Sequence, residues 1–281
     1  MRKKTDPKAA RGLDGLTPDE LDATRRGFWD EAFAELLLHR IPADTTTIVD
    51  IGCGLAPAAH ALLPRLPEAR YVGVDADGQR LRVAEKLLAK TPFAPRAELR
   101  VGHAGRLPFR DAVSGFVLIS MTLQHLSDPA EAVREVRRIL VPRGRVVAVE
   151  PDNLCNQFYF DGRLEDLNSA FHGLFARLRS ERFPADAAIG PAVAGIFERE
   201  RLSIVEFFPF LLGRLEKRTA KESFGRARQV LRIVSARLPP GSAEVKACDA
   251  ALGRVESSVG PERAGYYGHV VPVFVCTAEK R

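Results

Sequence analysis

The sequence predicts an α/β protein built on a doubly wound, mostly parallel sheet with helices on both of its faces. Two observations support this prediction. Short apolar segments alternate with helical segments between residues 46 and 151, and most of the apolar segments end at Gly, Asp or another polar residue. Because parallel strands need crossover connections, this alternation is typical of a sheet that helices cover on both faces.

The strands and helices of this region can be placed in order. The strands are short and rich in β-branched or large apolar residues, and they are predicted at 47–50, 71–75, 97–101, 116–120 and 146–150. Helices are predicted between them at 58–66, 79–90 and 129–141. The third helix has the clearest signals, because Asp128 can cap it, Pro129 suits its first position and Pro142 stops it.

A helix is also predicted near the N-terminus. Thr17 can cap it, Pro18 suits its first position and Glu20 completes a capping box. The residues before it, 1–16, are expected to form a flexible basic tail.

The alternation of strands and helices stops after Pro151. Helical segments are predicted at 154–184, 191–199, 220–238 and 242–256, and strands at 203–208 and 266–277. We expect two helical inserts, at about 152–186 and 212–262, to cap the carboxyl edge of the sheet and bind the substrate. Folds of this type bind their ligands at that edge.

Composition limits the class of protein. With 281 residues, 46% of them hydrophobic, the chain is expected to form one globular domain over residues 17–281. Its apolar segments fall far short of the ~20 residues that a membrane-spanning helix needs. No apolar segment of a secretory signal follows the basic N-terminus, so a cytoplasmic location is expected. The four cysteines form no C-x-x-C pair, which disfavours a metal centre.

Charge favours a small molecule over nucleic acid as the partner. The chain carries 42 basic and 36 acidic residues, for a net charge of +6, and these charges are spread along the sequence. A spread pattern is typical of a solvated, Arg-rich surface.

The most informative segment is VDIGCGLA at residues 49–56, at the end of the first strand. Gly52 and Gly54 would let the backbone turn sharply and approach a ligand. A dinucleotide-binding loop would carry a third glycine where this chain has Pro57. Asp50 would repel a pyrophosphate but attract an ammonium or sulfonium group. The loop therefore favours a cationic ligand over a dinucleotide.

A second carboxylate ends the next strand. Asp75 lies in YVGVDAD at residues 71–77, about twenty residues after the glycine loop. A carboxylate at the tip of the second strand can accept two hydrogen bonds from a ribose diol. Asp75 is therefore predicted to bind a nucleoside.

These motifs belong to a set of four segments that resembles the class I S-adenosylmethionine-dependent methyltransferases. The resemblance is to the subgroup of ubiquinone/menaquinone-biosynthesis C-methyltransferases and many small-molecule methyltransferases. The four segments are VDIGCGLA (49–56), YVGVDAD (71–77), VGHAGRLPF (101–109) and LQHLSDPAEAVREVRRILVPRGRVVAVEP (123–151). The resemblance implies a Rossmann-like sheet of seven strands, with the last two within 187–208 and 266–279, and S-adenosyl-L-methionine as the cofactor.

The resemblance also implies roles for the matched residues. The glycine loop would pass beneath the methionine part of the cofactor, with Asp50 supporting the loop and the amino group and Asp75 holding the ribose hydroxyls. His103 and Ala104 would flank the adenine, and Ser120 would lie beside the methionine part. The full set expected at the cofactor is Asp50, Gly52, Cys53, Gly54, Asp75, Ala76, His103, Ala104 and Ser120.

Three positions depart from the family pattern. Ala56 replaces the third glycine of the loop, His103 replaces the more usual Asp or Asn, and Gly115 stands where an Asp is common. The change at His103 could remove a charged acceptor for the adenine amino group.

The expected reaction is an in-line transfer of a methyl group to a small acceptor, in which most of the catalysis can come from proximity and orientation. If the acceptor must first lose a proton, His125 is the candidate general base. We expect an apolar or aromatic organic acceptor. Two alternatives stay open: an RNA or protein methyltransferase that uses the Arg-rich surface, and an inactive homologue that only binds the cofactor.

Overall fold

The computed structural model describes residues 29–162, 164–180, 186–213, 215–236 and 238–281. The predicted basic tail, and the start of the helix predicted at Thr17, lie outside the described residues. In chain order the elements are α1 Glu31–Leu38, β1 Thr47–Ile51, α2 Pro57–Leu62, β2 Arg70–Asp75, α3 Gly78–Leu88, β3 Ala97–Val101, β4 Ser114–Ser120, α4 Pro129–Ile139, β5 Leu140–Pro151, β6 Gln157–Phe160, α5 Glu165–Ser180, α6 Val193–Arg199, β7 Leu202–Leu212, β8 Leu215–Thr219, α7 Ala220–Ser235, α8 Ala243–Val259 and β9 Ala264–Lys280.

The described residues fall into two compact units. The core unit comprises those of Asp22–Asp152, Pro184–Phe210 and Val273–Arg281. The second unit comprises those of Asn153–Phe183 and Leu211–Pro272. These last two segments overlap with the two predicted inserts; that they bind an acceptor stays a prediction.

The core unit has the doubly wound sheet that the sequence predicts. Its parallel strands pair in the order β3–β2–β1–β4–β5, and the C-terminal part of β9 continues the sheet antiparallel to β5. Strand β7 pairs with β9. The fold class is therefore confirmed, with β7 and β9 at the positions predicted for the last two strands.

The register of the parallel strands places their carboxyl ends at one edge. Ile51 of β1 pairs with Val74 of β2 on one side and with Ile119 of β4 on the other. The residues that follow these three positions, Gly52, Asp75 and Ser120, are therefore brought together at the carboxyl edge of the sheet. Strand β1 is buried from Ile48 to Ile51, as expected of a strand covered on both faces.

Two helices of the core unit, α3 and α4, begin at an aspartate whose side chain caps them. Asp77 accepts hydrogen bonds from the first backbone N–H groups of α3, and Asp128 does the same for α4, with Pro129 in its first turn. Helix α4 ends at Ile139, two residues before the predicted end, because Leu140 already has an extended backbone and begins β5.

The second unit contains strands where the sequence predicts helix. Strand β6 pairs antiparallel with β9, so that Phe158 lies opposite His269 and Phe160 lies opposite Tyr267. Strand β8 pairs with the same part of β9. The helices of this unit are α5, α7 and α8. Phe158 and Phe160 are buried while Gln157 and Tyr159 are half-buried, which is the two-residue period of a strand.

No helix in the described part of the chain has both the length and the apolar character needed to cross a membrane. The same residues contain no group of three or more His, Cys, Asp or Glu side chains placed to hold a metal ion.

Candidate functional site

The loop after β1 bends sharply at its two glycines. Gly52 has φ +73° and Gly54 has φ +56°, both in the left-handed region that favours glycine. A Cβ on Gly52 would lie 2.2 Å from the Oγ1 atom of Thr122, which follows β4. Both the backbone conformation and the lack of space therefore require glycine at this position.

Strand β2 holds this loop through three backbone N–H groups. The N–H groups of Gly52 and Cys53 donate to the carbonyl oxygen of Val74, at 2.7 and 3.1 Å. The N–H of Gly54 donates to Asp75 Oδ2 at 2.9 Å. All three groups are thus already engaged by β2, whereas a loop that cradles a pyrophosphate presents its N–H groups to the ligand.

Asp75 lies at the tip of β2, where the sequence places it. Its second oxygen, Oδ1, accepts a hydrogen bond from the N–H of Asp77 at 2.9 Å. Each carboxylate oxygen has two lone pairs, so both oxygens retain capacity for a hydroxyl donor. The side chain is partly exposed. This arrangement fits a ribose diol, although the role stays a prediction.

Asp50 is buried beneath the loop. Its side chain is 3% exposed, and Oδ2 accepts a hydrogen bond from the hydroxyl of Tyr71 at 2.6 Å. Burial raises the pKa of this carboxyl to about 7, the bond from Tyr71 opposes that rise, and the charge of Asp75 adds to it. The structure therefore pairs Asp50 with Tyr71; its predicted support of the cofactor amino group stays a prediction.

Cys53 and Ala76 occupy contrasting environments. Cys53 is buried, and its Sγ atom lies so close to Gly73 of β2 that a Cβ there would be 2.7 Å away. Burial raises the pKa of the Cys53 thiol well above its usual value, so it is kept protonated and is a packing residue rather than a nucleophile. Ala76 is exposed beside Asp75.

The loop after β4 is held by a buried carboxylate. Both oxygens of Glu150, which is 0% exposed, accept backbone N–H groups: Oε1 from Thr122 and Leu123 at 2.8 and 2.9 Å, and Oε2 from Gln124 at 3.3 Å. Thr122 Oγ1 in turn donates to the carbonyl oxygens of Ile51 and Ser120, both at 3.1 Å. Glu150 and Thr122 therefore fix this loop against the glycine loop.

His125 ends the short 3₁₀ turn Leu123–His125 that Glu150 holds. His125 is half-buried, and its backbone N–H donates to the carbonyl oxygen of Thr122 at 3.0 Å. The structure thus places the predicted base on a fixed turn directly after β4.

The residues predicted to flank the adenine follow β3. His103 is exposed, and its Nδ1 accepts the N–H of Gly105 at 3.4 Å. Ala104 is 9% exposed and packs into the core cluster beside Leu107. Their predicted contact with the adenine ring stays a prediction.

Four residues of this site were missed by the sequence analysis: Tyr71, Gly73, Thr122 and Glu150. The sequence does carry one signal for Glu150, which is a charged residue directly after the apolar run Val146–Val149. Tyr71 and Thr122 could not be found in this way, because their partners lie on other strands.

Taken together, the fold and the site define a Rossmann-like domain suited to a nucleoside ligand that bears positive charge. The glycine loop, the carboxylate of Asp75 and the turn held by Glu150 meet at the carboxyl edge of the sheet, where doubly wound folds bind ligands.

Comparison with known proteins agrees with this class. Residues 49–148 match the family model described as a methyltransferase domain. Demethylmenaquinone methyltransferase of Lactiplantibacillus plantarum is 30% identical over 128 residues, covering 45% of this chain and 52% of that protein. Trans-aconitate 2-methyltransferase of Azoarcus is 33% identical over 118 residues, covering 42% and 44%. Over residues 49–148, the chain is therefore similar to methyltransferase domains.

The match does not extend over whole proteins, because the chain spans about half the length of the curated relatives it matches. Solved structures share the fold. The YcgJ protein of Bacillus subtilis has a TM-score of 0.55 at 18% identity, with 90% of this chain and 99% of that chain covered. Geranyl diphosphate C-methyltransferase of Streptomyces coelicolor has a TM-score of 0.51 at 14% identity, with 94% and 82% covered.

The same fold also occurs in an enzyme named for a different reaction. The [4+2]-cyclase SpnF has a TM-score of 0.51 at 16% identity, with 89% of this chain and 80% of that chain covered. The fold alone therefore does not determine the reaction, which must be argued from the site.

Proposed function

We propose that this protein is an S-adenosyl-L-methionine-dependent methyltransferase acting on a small organic acceptor. The observation that carries the proposal is the engagement of the glycine loop by β2. The N–H groups of Gly52, Cys53 and Gly54 donate to Val74 and Asp75. They are therefore not directed at a pyrophosphate, and the nearby carboxyl groups of Asp75 and Asp50 favour a cationic nucleoside.

The residues present fit this cofactor. Asp75 retains lone pairs for the ribose hydroxyls. Because Gly52 has no side chain and lies against Thr122, the cofactor would contact the backbone of the glycine loop. When bound, the sulfonium of the cofactor supplies an activated methyl group. The protein's own contribution is to hold the two reactants in line, which contributes about 7–11 kcal/mol in well-oriented intramolecular reactions.

The acceptor is proposed to have an apolar or aromatic body that the second unit binds. This unit is rich in aromatic side chains that contact one another: Phe158 with Phe171 at 4.8 Å, Phe171 with Phe175 at 5.7 Å, and Phe160 with Phe224 at 5.5 Å between ring centroids. The relatives' names include a quinone precursor, trans-aconitate and geranyl diphosphate. Because these acceptors differ in chemistry, none is transferred to this chain.

His125 is proposed as the general base for an acceptor that must lose a proton. Glu150 holds the turn of His125 beside the glycine loop, which supports a role for the His125 ring at the sheet edge proposed for methyl transfer. A positioned base contributes about 10²–10⁴-fold in rate.

One experiment tests the proposed function against its alternatives. The purified chain is incubated with methyl-labelled S-adenosylmethionine and a cell extract separated into small-molecule, RNA and protein fractions. We expect label in the small-molecule fraction. Label confined to RNA or protein would contradict the proposed acceptor, and cofactor binding without transfer to any fraction would identify an inactive homologue.

The role of His125 is tested once an acceptor is found. We expect His125→Gln to lower kcat by about 10²-fold or more while the affinity for S-adenosylmethionine changes less than about twofold. His39→Gln, which replaces an exposed histidine of the core unit directly after helix α1, serves as the control. An unchanged kcat and an unchanged pH profile in His125→Gln would contradict the general-base role.

A further inference from the structure

Two neighbouring side chains of β9 carry buried polar atoms that have no hydrogen-bond partner among the described residues. These atoms are the hydroxyl of Tyr267 and Nε2 of His269. Tyr267 is only 6% exposed, and although part of the His269 residue is accessible, its Nε2 atom is not. Since the two residues are two apart on one strand, their side chains share a face of the sheet. Buried polar atoms are nearly always paired in native proteins, so two adjacent exceptions need an explanation.

A third side chain fixes the chemistry of this pair. Arg226 of α7 donates from Nε to Nδ1 of His269 at 3.4 Å, and from Nη1 to Oε1 of Gln229 at 2.6 Å. Because Nδ1 accepts this bond, the proton of the neutral ring must be on Nε2. The unpaired atom of His269 is therefore an N–H donor.

The surroundings keep the ring neutral. His269 stacks on Phe158 with ring centroids 4.8 Å apart. Burial, reinforced by the charge of Arg226, lowers the pKa of His269 to about 3. Burial likewise raises the pKa of Tyr267, which keeps its hydroxyl protonated.

Among the described residues, the cluster thus offers two unpaired donors, the Nε2–H of His269 and the O–H of Tyr267. Beside them lies the guanidinium of Arg226, which interacts electrostatically with Tyr267. A set of donors that includes a buried cation is complementary to an anionic oxygen group. We infer that Tyr267, His269 and Arg226 form a binding site for an oxyanion, a carboxylate or a phosphate, carried by the methyl acceptor.

This inference rests on the proposed function and narrows it. The aromatic rings of Phe158 and Phe160 lie opposite His269 and Tyr267 across the strand pair, so an apolar surface adjoins the donors. The acceptor would then combine an apolar body with an acidic end, as a small organic acid or a phosphate ester does.

The test measures binding of two simple anions to the full chain. Inorganic phosphate and acetate are titrated separately by calorimetry at constant ionic strength, into the wild-type protein and into two variants. Tyr267→Phe removes only the unpaired hydroxyl. Tyr266→Phe is the matched control, because Tyr266 is the adjacent residue of β9 and is 58% exposed. Thermal unfolding of all three proteins is recorded as well.

We expect at least one anion to bind the wild type and Tyr266→Phe with affinities within about twofold of each other, and Tyr267→Phe at least tenfold more weakly. Tyr267→Phe should keep its unfolding temperature, since the Tyr267 hydroxyl has no hydrogen-bond partner among the described residues. Binding of phosphate alone would indicate a phosphate ester, and binding of acetate alone a carboxylic acid. If neither anion binds, or if Tyr267→Phe binds them as the wild type does, the inference is overturned.

The affinity for S-adenosylmethionine, measured on the same proteins, separates the two proposals. Tyr267→Phe should leave it within about twofold of the wild type. If the wild type bound the anion through Tyr267 but did not bind S-adenosylmethionine, the oxyanion site would stand while the proposed function would fail.

Discussion

Two carboxylates on adjacent strands of the core unit occupy different environments, although both follow apolar strand residues. Asp50 is enclosed and receives a hydroxyl from Tyr71, whereas Asp75 is partly exposed and receives two backbone N–H groups. Desolvation penalises the charged form of the enclosed Asp50. The two residues are therefore expected to respond differently to substitution.

Asp50→Asn should stabilise the protein increasingly as the pH rises. Because the pKa of Asp50 is about 7 in the folded protein against 3.8 as its ordinary value, the folded state binds this proton more tightly than the unfolded chain. Below about pH 4, Asp50 makes its full favourable contribution to the free energy of unfolding. This contribution, on the order of 4 kcal/mol by linkage, is lost as the pH rises towards 7. Asparagine does not ionise and can still accept the hydroxyl of Tyr71.

The measurement is the unfolding temperature of the wild type and Asp50→Asn from pH 5 to pH 8, without ligand. Asp77→Asn is the control, because it removes a carboxylate that caps helix α3 and is not enclosed. A difference between Asp50→Asn and the wild type that stays constant over this range would contradict the raised pKa.

Asp75→Asn should weaken binding of S-adenosylmethionine. The substitution would remove the proposed charge-assisted bonds to the ribose, each worth about 1.5–3 kcal/mol, so an affinity loss of roughly 10- to 100-fold is expected by calorimetry. Asp77→Asn makes the same chemical change two residues further on and should cost less than about threefold. Equal losses in the two variants would argue against a specific ribose contact.

Gly52→Ala tests the close approach of the loops after β1 and β4. The new Cβ would meet Thr122 Oγ1 at 2.2 Å and Cγ2 at 2.5 Å in a backbone conformation that alanine rarely adopts. We expect a loss of stability of about 2–4 kcal/mol. Adding Thr122→Ala should restore part of that loss, since it removes both of these atoms. If the second substitution restored nothing, the steric account would be wrong.

At the scale of elements, the turn Leu123–His125 depends on one strand residue. Glu150 lies near the end of β5. Its side chain accepts hydrogen bonds from the backbone N–H groups of Thr122, Leu123 and Gln124. Bonds to a buried carboxylate are stronger than bonds between neutral groups. The position of the turn that carries His125 is thus set by β5.

Glu150→Gln should therefore destabilise the protein by about 1–3 kcal/mol, since the amide nitrogen cannot accept a backbone N–H. Thermal unfolding measures this loss. Glu279→Gln on β9 is the control: its ion pair with Arg145 is about one-third exposed on both sides, and such pairs contribute about 0–1 kcal/mol. Similar losses in the two variants would show that Glu150 does not hold the turn.

Local signals predicted the elements of the core unit, while partners distant in sequence escaped prediction. Asp128 and Pro129 predict the start of α4. Gly52 and Asp75 could be predicted as site residues because each lies at the end of a predicted strand. Strand β6 was missed because it has four residues and its partner, β9, lies more than a hundred residues further along the chain. The bond between Tyr71 and Asp50 was missed because it requires the pairing of β1 with β2 to be known.

At the scale of the whole molecule, the net charge of +6 raises the question of whether the surface could bind nucleic acid, and we predict that it does not. Many arginines of the described residues are paired with carboxylates on the same unit. Arg138 pairs with Glu135 and Arg145 with Glu279, both at 2.7 Å, and Arg228 pairs with Glu256. Pairing reduces the number of cations that are available to a phosphate backbone, so we predict little counterion release.

The last prediction follows from this distribution. Methyl transfer to the labelled small-molecule fraction should change less than about twofold between 50 and 200 mM salt, because no phosphate backbone is engaged. A protein that makes 6–10 phosphate contacts loses about 10³–10⁵ in affinity over the same range. Fluorescence anisotropy with a single-stranded and a double-stranded RNA measures the alternative directly, with the wild-type chain at both salt concentrations. Saturable RNA binding that falls steeply with salt would favour an RNA substrate, whereas salt-independent transfer without RNA binding supports the small-molecule acceptor.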